Sequence, residues 1–417
     1  MELINQAMPI LLGLLDRFVE QWWLYAAIPF ISAGVGYITN MIALEMMFKP
    51  LEFIGIKPIF GWQGIVPRKA EIMASIAVDT ITGKLITARE ITDRIDAVEV
   101  GRLLEEPLKP IIEDVVYDMI STHNPTIWNT MPALARSQIM KRAHKAAPGI
   151  ATAIIQKFQQ DSEEMLDVKD MVIRNLKKDK ELLNRIFLDV GEPEFKFVAR
   201  SGAYFGFLFG IPQMLLFLVY PANWVLPLFG LLVGYATNWI ALKIIFEPKD
   251  PVRVGLIKIQ GLFLKRQQEV AEQYAKLVAD EILTPENMAE AVLNGPHSEK
   301  LDEVLAREVK RAIDESVGIT MPVITTAVGT ENYRLMKETA VEATAKRAGS
   351  LMRHVDDYLV KVIDLRHTLS SRLAALPPKD FEGLLRPAFQ QDEWILITVG
   401  AALGFLAGLA QLVFMFS

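Results

Sequence analysis

The chain has 417 residues, 51% of them apolar, a net charge of −6 and no cysteine. That balance lies between a soluble protein and a bundle made only of membrane spans. It lacks the basic excess that neutralises phosphates, so nucleic acid is set aside as a partner. The missing thiols exclude disulfides, cysteine nucleophiles and Cys-ligated zinc or iron-sulfur clusters.

In chain order, residues 1–21 lack a basic n-region and a small-residue cleavage site. They are expected as an amphipathic helix on the membrane surface, with Leu11, Leu14, Leu15 and Phe18 as its apolar face. Four runs are long and apolar enough to cross about 30 Å of hydrocarbon at 1.5 Å per residue: 25–47, 201–220, 224–246 and 394–416. Between them lie two polar, helix-patterned arms, 49–198 and 249–391. "YPAN" at 220–223 is a tight connection, too short to hold a domain.

The chain repeats itself. "GYITNMIALEMMF" and "GYATNWIALKIIF" place Asn40 and Asn238 198 positions apart, and Gly202, Gly206, Gly210 and Gln213 match Gly400, Gly404, Gly408 and Gln411 at that same offset. Two matches at one offset predict halves of residues 22–219 and 220–417, each built as span, arm, span. Both enter the bilayer in one direction, as parallel repeats about a pseudo-twofold along the membrane normal. Both arms must then lie on one side. Lys49, Lys57, Arg68, Lys69, Lys196, Arg200, Lys249, Arg253, Lys258, Lys265 and Arg266 flank the arm ends of the spans, against Arg17 opposite, which predicts a cytoplasmic location.

Within the arms, Ile150, Ile154 and Phe158, and Leu351, Val355, Leu359, Val362 and Leu369, recur at helical spacing and are expected as seams between helices. Prolines 107, 110, 125, 132 and 148, then 285, 296, 322, 377 and 378, should cut the arms into several helices. No alternating pattern is long enough for a sheet. The expected fold class is an all-α membrane protein with four transmembrane helices in two parallel duplicated halves, each carrying a long helical cytoplasmic arm.

The repeated pattern, Gly36, Thr39, Asn40, Ala43, Phe48 and Pro50 followed by Gly64, Pro67, Arg68 and Lys69, returns as Gly234, Thr237, Asn238, Ala241, Phe246 and Pro248 followed by Gly261, Lys265 and Arg266. In this it resembles the bacterial membrane proteins grouped under domain of unknown function 445. The second copy departs at Leu264, where the first has Pro67. The resemblance implies a bacterial cell-membrane protein and brings no established activity or catalytic residue.

Four sets of residues stand out. Thr39, Asn40, Thr237 and Asn238 are polar groups in the spans, which serve either as interhelical hydrogen-bonding points or as part of a solute or ion path. Gly202, Gly206 and Gly210, with Gly400, Gly404 and Gly408, step by four along one helix face and offer close backbone packing; a glycine-lined pore is the alternative. Arg68, Lys69, Lys265 and Arg266 close apolar, Gly-interrupted segments just after a span. They are candidates for lipid-phosphate contacts or for simple topological anchoring. Glu45 and Lys243, at equivalent positions, either pair across the pseudo-twofold or each reach the interface alone.

His123, His144, His297, His354 and His367 lack metal-ligand spacing, and no phosphate-binding or dinucleotide glycine loop occurs. No catalytic, metal or cofactor-binding residues are expected, and hence no enzyme. The leading expectation is a non-enzymatic scaffold or lipid- or partner-binding protein at the inner face of the cell membrane. Its partners would be membrane lipids, a second copy, or another membrane or cytoplasmic protein. A transporter or channel along the pseudo-twofold is second, and a hydrolase third.

Overall fold

The structure, a computed structural model, describes residues 2–56, 60–255, 257–317, 325–326, 328–390 and 393–416. The side chains of residues 2–18, 60, 180, 254, 257, 384–385, 387–390 and 415–416 are outside that description, so the face expected from Leu11, Leu14, Leu15 and Phe18, together with Lys57 and Pro322, lies outside the described residues. The principal helices are α1 (Glu2–Phe48), α2 (Glu105–His123), α3 (Ala133–Gln160), α4 (Lys180–Val219), α5 (Val225–Phe246), α6 (Ser298–Val317), α7 (Thr330–Leu351) and α8 (Glu393–Phe416). Among the described residues, four segments are long and apolar enough to cross a membrane: Val19–Phe48, Glu181–Val219, Val225–Phe246 and Glu393–Phe414. The protein is a predominantly helical membrane protein.

The chain divides into two compact units. The first contains residues 1–73, 176–274 and 373–417, and so all four candidate spans. There α1 packs along α4, and α5 along α8. Helix α1 departs from helical geometry at Gln21, with φ −127° and ψ 27°, at the point where the N-terminal stretch meets the first span. Helix α4 runs through the expected arm-span boundary at 198–201 as one 40-residue helix.

Two β-hairpins correct the expectation of no sheet. Ile54–Ile56 pairs antiparallel with Phe60–Trp62, and Val252–Val254 with Ile257–Ile259. Each strand has three residues. That is shorter than the four-residue alternation needed to register as a strand in sequence. Gly255 lies in the left-handed region at φ 62°, where a side chain is disfavoured, and so permits the second turn. Each hairpin returns to the end of its span, with the Gly64 amide donating to Pro50 O at 2.9 Å and the Gly261 amide to Pro248 O at 3.0 Å.

The segments beside the spans belong to this unit because they pack on the span ends. Asn184 donates to Phe48 O at 2.6 Å, Phe263 stacks on Phe381 with ring centroids 5.2 Å apart, and Lys249 pairs with the buried Glu382 at 2.8 Å.

The second unit holds residues 74–175 and 275–372, drawn from both arms. Helix α2 packs on α7, and α3 on α6. Val116 and Ile120 meet Met336 in one buried cluster, while Leu305, Val309 and Ala340 form another. Polar contacts join the same two stretches of chain: Arg372 makes two 3.0 Å bonds to Glu90, Arg347 reaches Asp118 at 2.9 Å, and Arg94 donates to Thr368 Oγ1 at 2.8 Å. Pro110 and Pro148, expected as helix breaks, lie inside α2 and α3. A proline deletes one backbone bond at about 3 kcal/mol, which an amphipathic face packed along its length offsets.

Candidate functional site

The Thr-Asn residues of the spans donate inside their own helix pairs, although the buried Asn40 Oδ1 has no hydrogen-bond partner. Asn40 Nδ2 donates to Val198 O at 2.8 Å, and Asn238 Nδ2 to Leu396 O at 2.8 Å. Thr39 and Thr237 hydroxyls donate back to Gly36 O and Gly234 O at 3.2 and 3.4 Å. Each asparagine reaches a backbone carbonyl of the adjacent helix and not the other asparagine.

The six glycines of the repeated face lie against the Thr-Asn helices. A Cβ on Gly202 would sit 2.2 Å from Gly36 O, on Gly206 2.4 Å from Ser32 O, and on Gly210 2.5 Å from Pro29 Cα. On Gly400 it would meet Asn238 Nδ2 at 2.1 Å, on Gly404 Gly230 O at 2.1 Å, and on Gly408 Leu226 O at 2.4 Å. Backbone lies against backbone, and the asparagines use that proximity to reach across. One polar pair has no counterpart in the second half. Ser32 donates to Gln213 at 2.9 Å, but Gln411 faces a helix with glycine at the matching position, Gly230, and its buried Nε2 has no partner.

The Glu45–Lys243 pairing is corrected. Glu45 lies 3.5 Å from Lys49, and Lys243 3.7 Å from Glu247, each one turn along its own helix. Glu45, Lys49 and Lys243 are exposed, Glu247 is half-buried and also approached by Arg386 at 3.8 Å, and in each half an i,i+4 partner is within reach along the same helix. Among the expected lipid-phosphate residues, Arg68 and Lys265 are exposed and Lys69 is half-buried. Arg266 is a second correction. Its Nε and Nη2 donate to Glu269 at 2.9 and 2.7 Å, and its Nη1 to both oxygens of buried Glu194 at 2.8 and 2.7 Å. Bonding to Glu269 raises its pKa, burial opposes this, and Glu194 raises it again, to a net value above the ordinary range. Its donors are occupied by protein carboxylates rather than offered to a lipid.

A cavity of about 730 Å³ lies elsewhere, in the second unit. Small-molecule pockets typically have volumes of roughly 300–1,000 Å³. Helix α3 lines it with Ala135, Gln138, Ile139, Arg142, Ala143, Ala146, Ala147, Ile150, Ala151, Ile154, Ile155 and Phe158, one continuous stripe at spacings of three and one. Helix α2 adds Ile112, Val115, Val116 and Met119, helix α6 Leu305, Val309 and Ala312, and helix α7 Met336, Ala340, Thr344 and Ala348.

Two threonine hydroxyls at this wall are already bonded along their own helices, Thr92 to Arg89 O at 3.1 Å and Thr344 to Ala340 O at 2.7 Å. Tyr333 donates to Asp314 at 2.8 Å, and burial first, then that carboxylate, hold its phenol protonated far up the scale. The wall therefore offers hydrocarbon and few free polar groups.

Ile150, Ile154, Phe158, Leu351, Val355 and Leu359, expected as seams, line this cavity. The signal in sequence is the alanines between the isoleucines on α3. A seam closes with large side chains facing one another, whereas alanine at successive inward positions leaves volume that the opposite helices do not fill. Among the described residues, no cluster of three His, Asp or Glu side chains is arranged to hold a metal.

Comparison with known proteins places the chain among membrane proteins of unassigned activity. Residues 228–350 match the family model described as "Protein of unknown function (DUF445)". A UPF0754 membrane protein of Nostoc sp. is 38% identical over 71 residues, 16% of this chain and 17% of the relative. One of Bacillus mycoides is 33% identical over 87 residues, 20% of this chain and 23% of the relative. The chain thus spans only about a fifth of the length of the curated relatives it matches. No solved structure matches. The α5 repeat motif and much of the second arm lie inside the matched region, and over that region the chain is similar to the DUF445 family of membrane proteins.

Proposed function

We propose that this is a non-enzymatic lipid-binding membrane protein, whose two arms interleave into a helical body that takes up a lipid's hydrocarbon. The observation that carries the reading is the 730 Å³ cavity with its nearly continuous aliphatic wall. Apolar cavities of this kind stay dry and accept apolar guests. Arg142 and Phe158 line the same stripe of α3, so the wall extends about 24 Å at 1.5 Å per residue. That exceeds the roughly 15 Å that acyl chains span in one leaflet of a 30 Å core. A hydrocarbon chain fits without folding back on itself.

The proposal includes the topology read from sequence: duplicated halves, four spans in the inner bacterial membrane, and arms on the cytoplasmic side. The duplication is supported by the two asparagine bonds, which link positions separated by the same 158 residues in each half. The charge asymmetry at the span ends supports the orientation. A scaffold role, in which the loaded protein binds a second copy or another membrane protein, is compatible with this reading. Transport along the pseudo-twofold draws no support from the asparagines, since both are bonded to carbonyls.

The test is native mass spectrometry of the full chain released from its membrane, with lipid extraction of the same sample. The wild type is expected to retain about one lipid per chain. The variant Ala146→Phe with Ala312→Phe, which fills the cavity, is expected to lose it while melting at or above the wild-type temperature. Equal retention by a folded filled variant would place the lipid outside the cavity and defeat the proposal.

A further inference from the structure

The wall of the cavity is chemically uneven, and charge occurs at one place on it. Arg142 is the one charged side chain among the described lining residues. It is exposed, and its Nη1 donates to Ser316 O at 2.9 Å. It has no carboxylate partner among the described residues, which leaves most of its five N–H donors available. Two of the acids on the elements around it are paired elsewhere, Glu315 with Arg311 at 3.6 Å and Asp314 with Lys337 at 3.1 Å, while exposed Glu113 lies 3.8 Å from His144 without a hydrogen bond.

Its own helix amplifies the charge. In a chain of net charge −6, α3 contains no Asp or Glu in 28 residues, and Arg136, Lys141, Arg142 and Lys145 crowd one end of it. Gln138 and Asn124 line the cavity at that same end, and Gln138 has no described hydrogen bond. Toward the far end the α3 stripe is purely apolar, ending in Ile154, Ile155 and Phe158.

We infer that the cavity is polarised for an anionic amphiphile, whose carboxylate or phosphate head is held by the Arg142 guanidinium while its chain runs along α3 toward Phe158. A planar fork of N–H donors suits both head groups, and the neighbouring lysines add longer-range attraction without entering the wall. The inference rests on the lipid-binding reading proposed above and adds to it the charge of the ligand and its direction in the cavity. A neutral amphiphile would gain the same hydrocarbon burial but leave the guanidinium bonded to Ser316 and water.

The experiment uses the full chain in phosphatidylcholine nanodiscs and three photoactivatable probes with a diazirine on the chain: palmitate, 1-palmitoyl-lysophosphatidate and hexadecanol. Crosslinks are located by peptide mapping. Both anionic probes are expected to label cavity-lining peptides of α3 and α6 about tenfold more than hexadecanol, an advantage that falls with salt. Arg142→Gln should erase the difference at an unchanged melting temperature, and Arg142→Lys should keep part of it. Preference for palmitate alone would assign a free fatty acid, and for lysophosphatidate alone a phospholipid head; either outcome supports the anionic anchor. Equal labelling by all three probes, unaffected by Arg142→Gln, overturns the anchor and leaves the lipid-binding reading standing. No labelling of the lining peptides by any probe overturns both.

Discussion

Substituting Gly234 with alanine should separate two helices whose backbones touch. A Cβ there would lie 2.1 Å from Gly400 O and 2.8 Å from its carbonyl carbon. Carbon-oxygen contacts settle at about 3.3 Å, so α5 and α8 must move apart locally by about 1.2 Å. That stretches the 2.8 Å bond from Asn238 to Leu396 O to about 4 Å, beyond hydrogen-bonding range, and interhelical bonds of this type contribute about 0.6–1.7 kcal/mol. The same gap forfeits a quarter to a half of the dispersion energy of the atom pairs it opens, on the order of 1 kcal/mol for some twenty pairs. A loss of about 2–3 kcal/mol should lower the melting temperature in mild detergent by about 4–10 °C. Gly34→Ala is the internal control, since Gly34 is exposed on α1 with nothing within 4 Å of its Cβ position, and alanine is the better helix former. If both variants melt at the same temperature, the contact across the glycines contributes nothing and the packing argument fails.

The cavity itself should have room for more atoms. Ala146→Leu adds three carbons to its wall and is expected to raise the melting temperature of the delipidated protein, by an amount corresponding to about 2 kcal/mol; a fall would mean the space is not open. Tyr274 is buried, and burial pushes its phenol up to about 12. Its unfolded value is about 10, so the stability it contributes is complete below pH 10 and is lost as pH rises through 12, about 3 kcal/mol in all. Tyr274→Phe should flatten the alkaline limb of a denaturant-melting series between pH 10 and 12, and an unchanged slope would exclude Tyr274 as its source. Glu194→Gln removes the buried partner of Arg266 and should cost about 3 kcal/mol in unfolding experiments. Adding Arg266→Gln should recover part of that loss, whereas strictly additive losses would show that the two groups are not coupled.

Sequence alone determined the features that depend on a local period or on composition. Four apolar runs of sufficient length announced four long helices, because hydrocarbon solvent demands about twenty consecutive apolar residues. Glycines at four-residue steps announced a face for close approach, since an α-helix brings such positions into one line. The Thr-Asn pairs could be read as polar groups in need of partners, but not which partners. A side-chain amide is satisfied equally by another asparagine or by a carbonyl, and only the docked helices select Val198 O and Leu396 O.

The charges at the span ends show the same division. Glu45 and Lys243 are conspicuous as a diverged pair in aligned repeats, yet each has an opposite charge four residues further on, and the local partner wins because no chain must close to reach it. Arg266 carries no mark in sequence that distinguishes it from Arg68 or Lys265. Its engagement by Glu194, 72 residues away, is decided by the packing of the segments around the span ends.

The cavity is the strongest case of a property decided by tertiary structure. Its wall is drawn from helices of both arms, and along any one of them the inward stripe has the same three- and four-residue period that a filled core would have. A void is the difference between the volume that facing stripes supply and the distance at which their helices settle. No single stretch of sequence contains that difference, although the alanines of α3 hold one side of it.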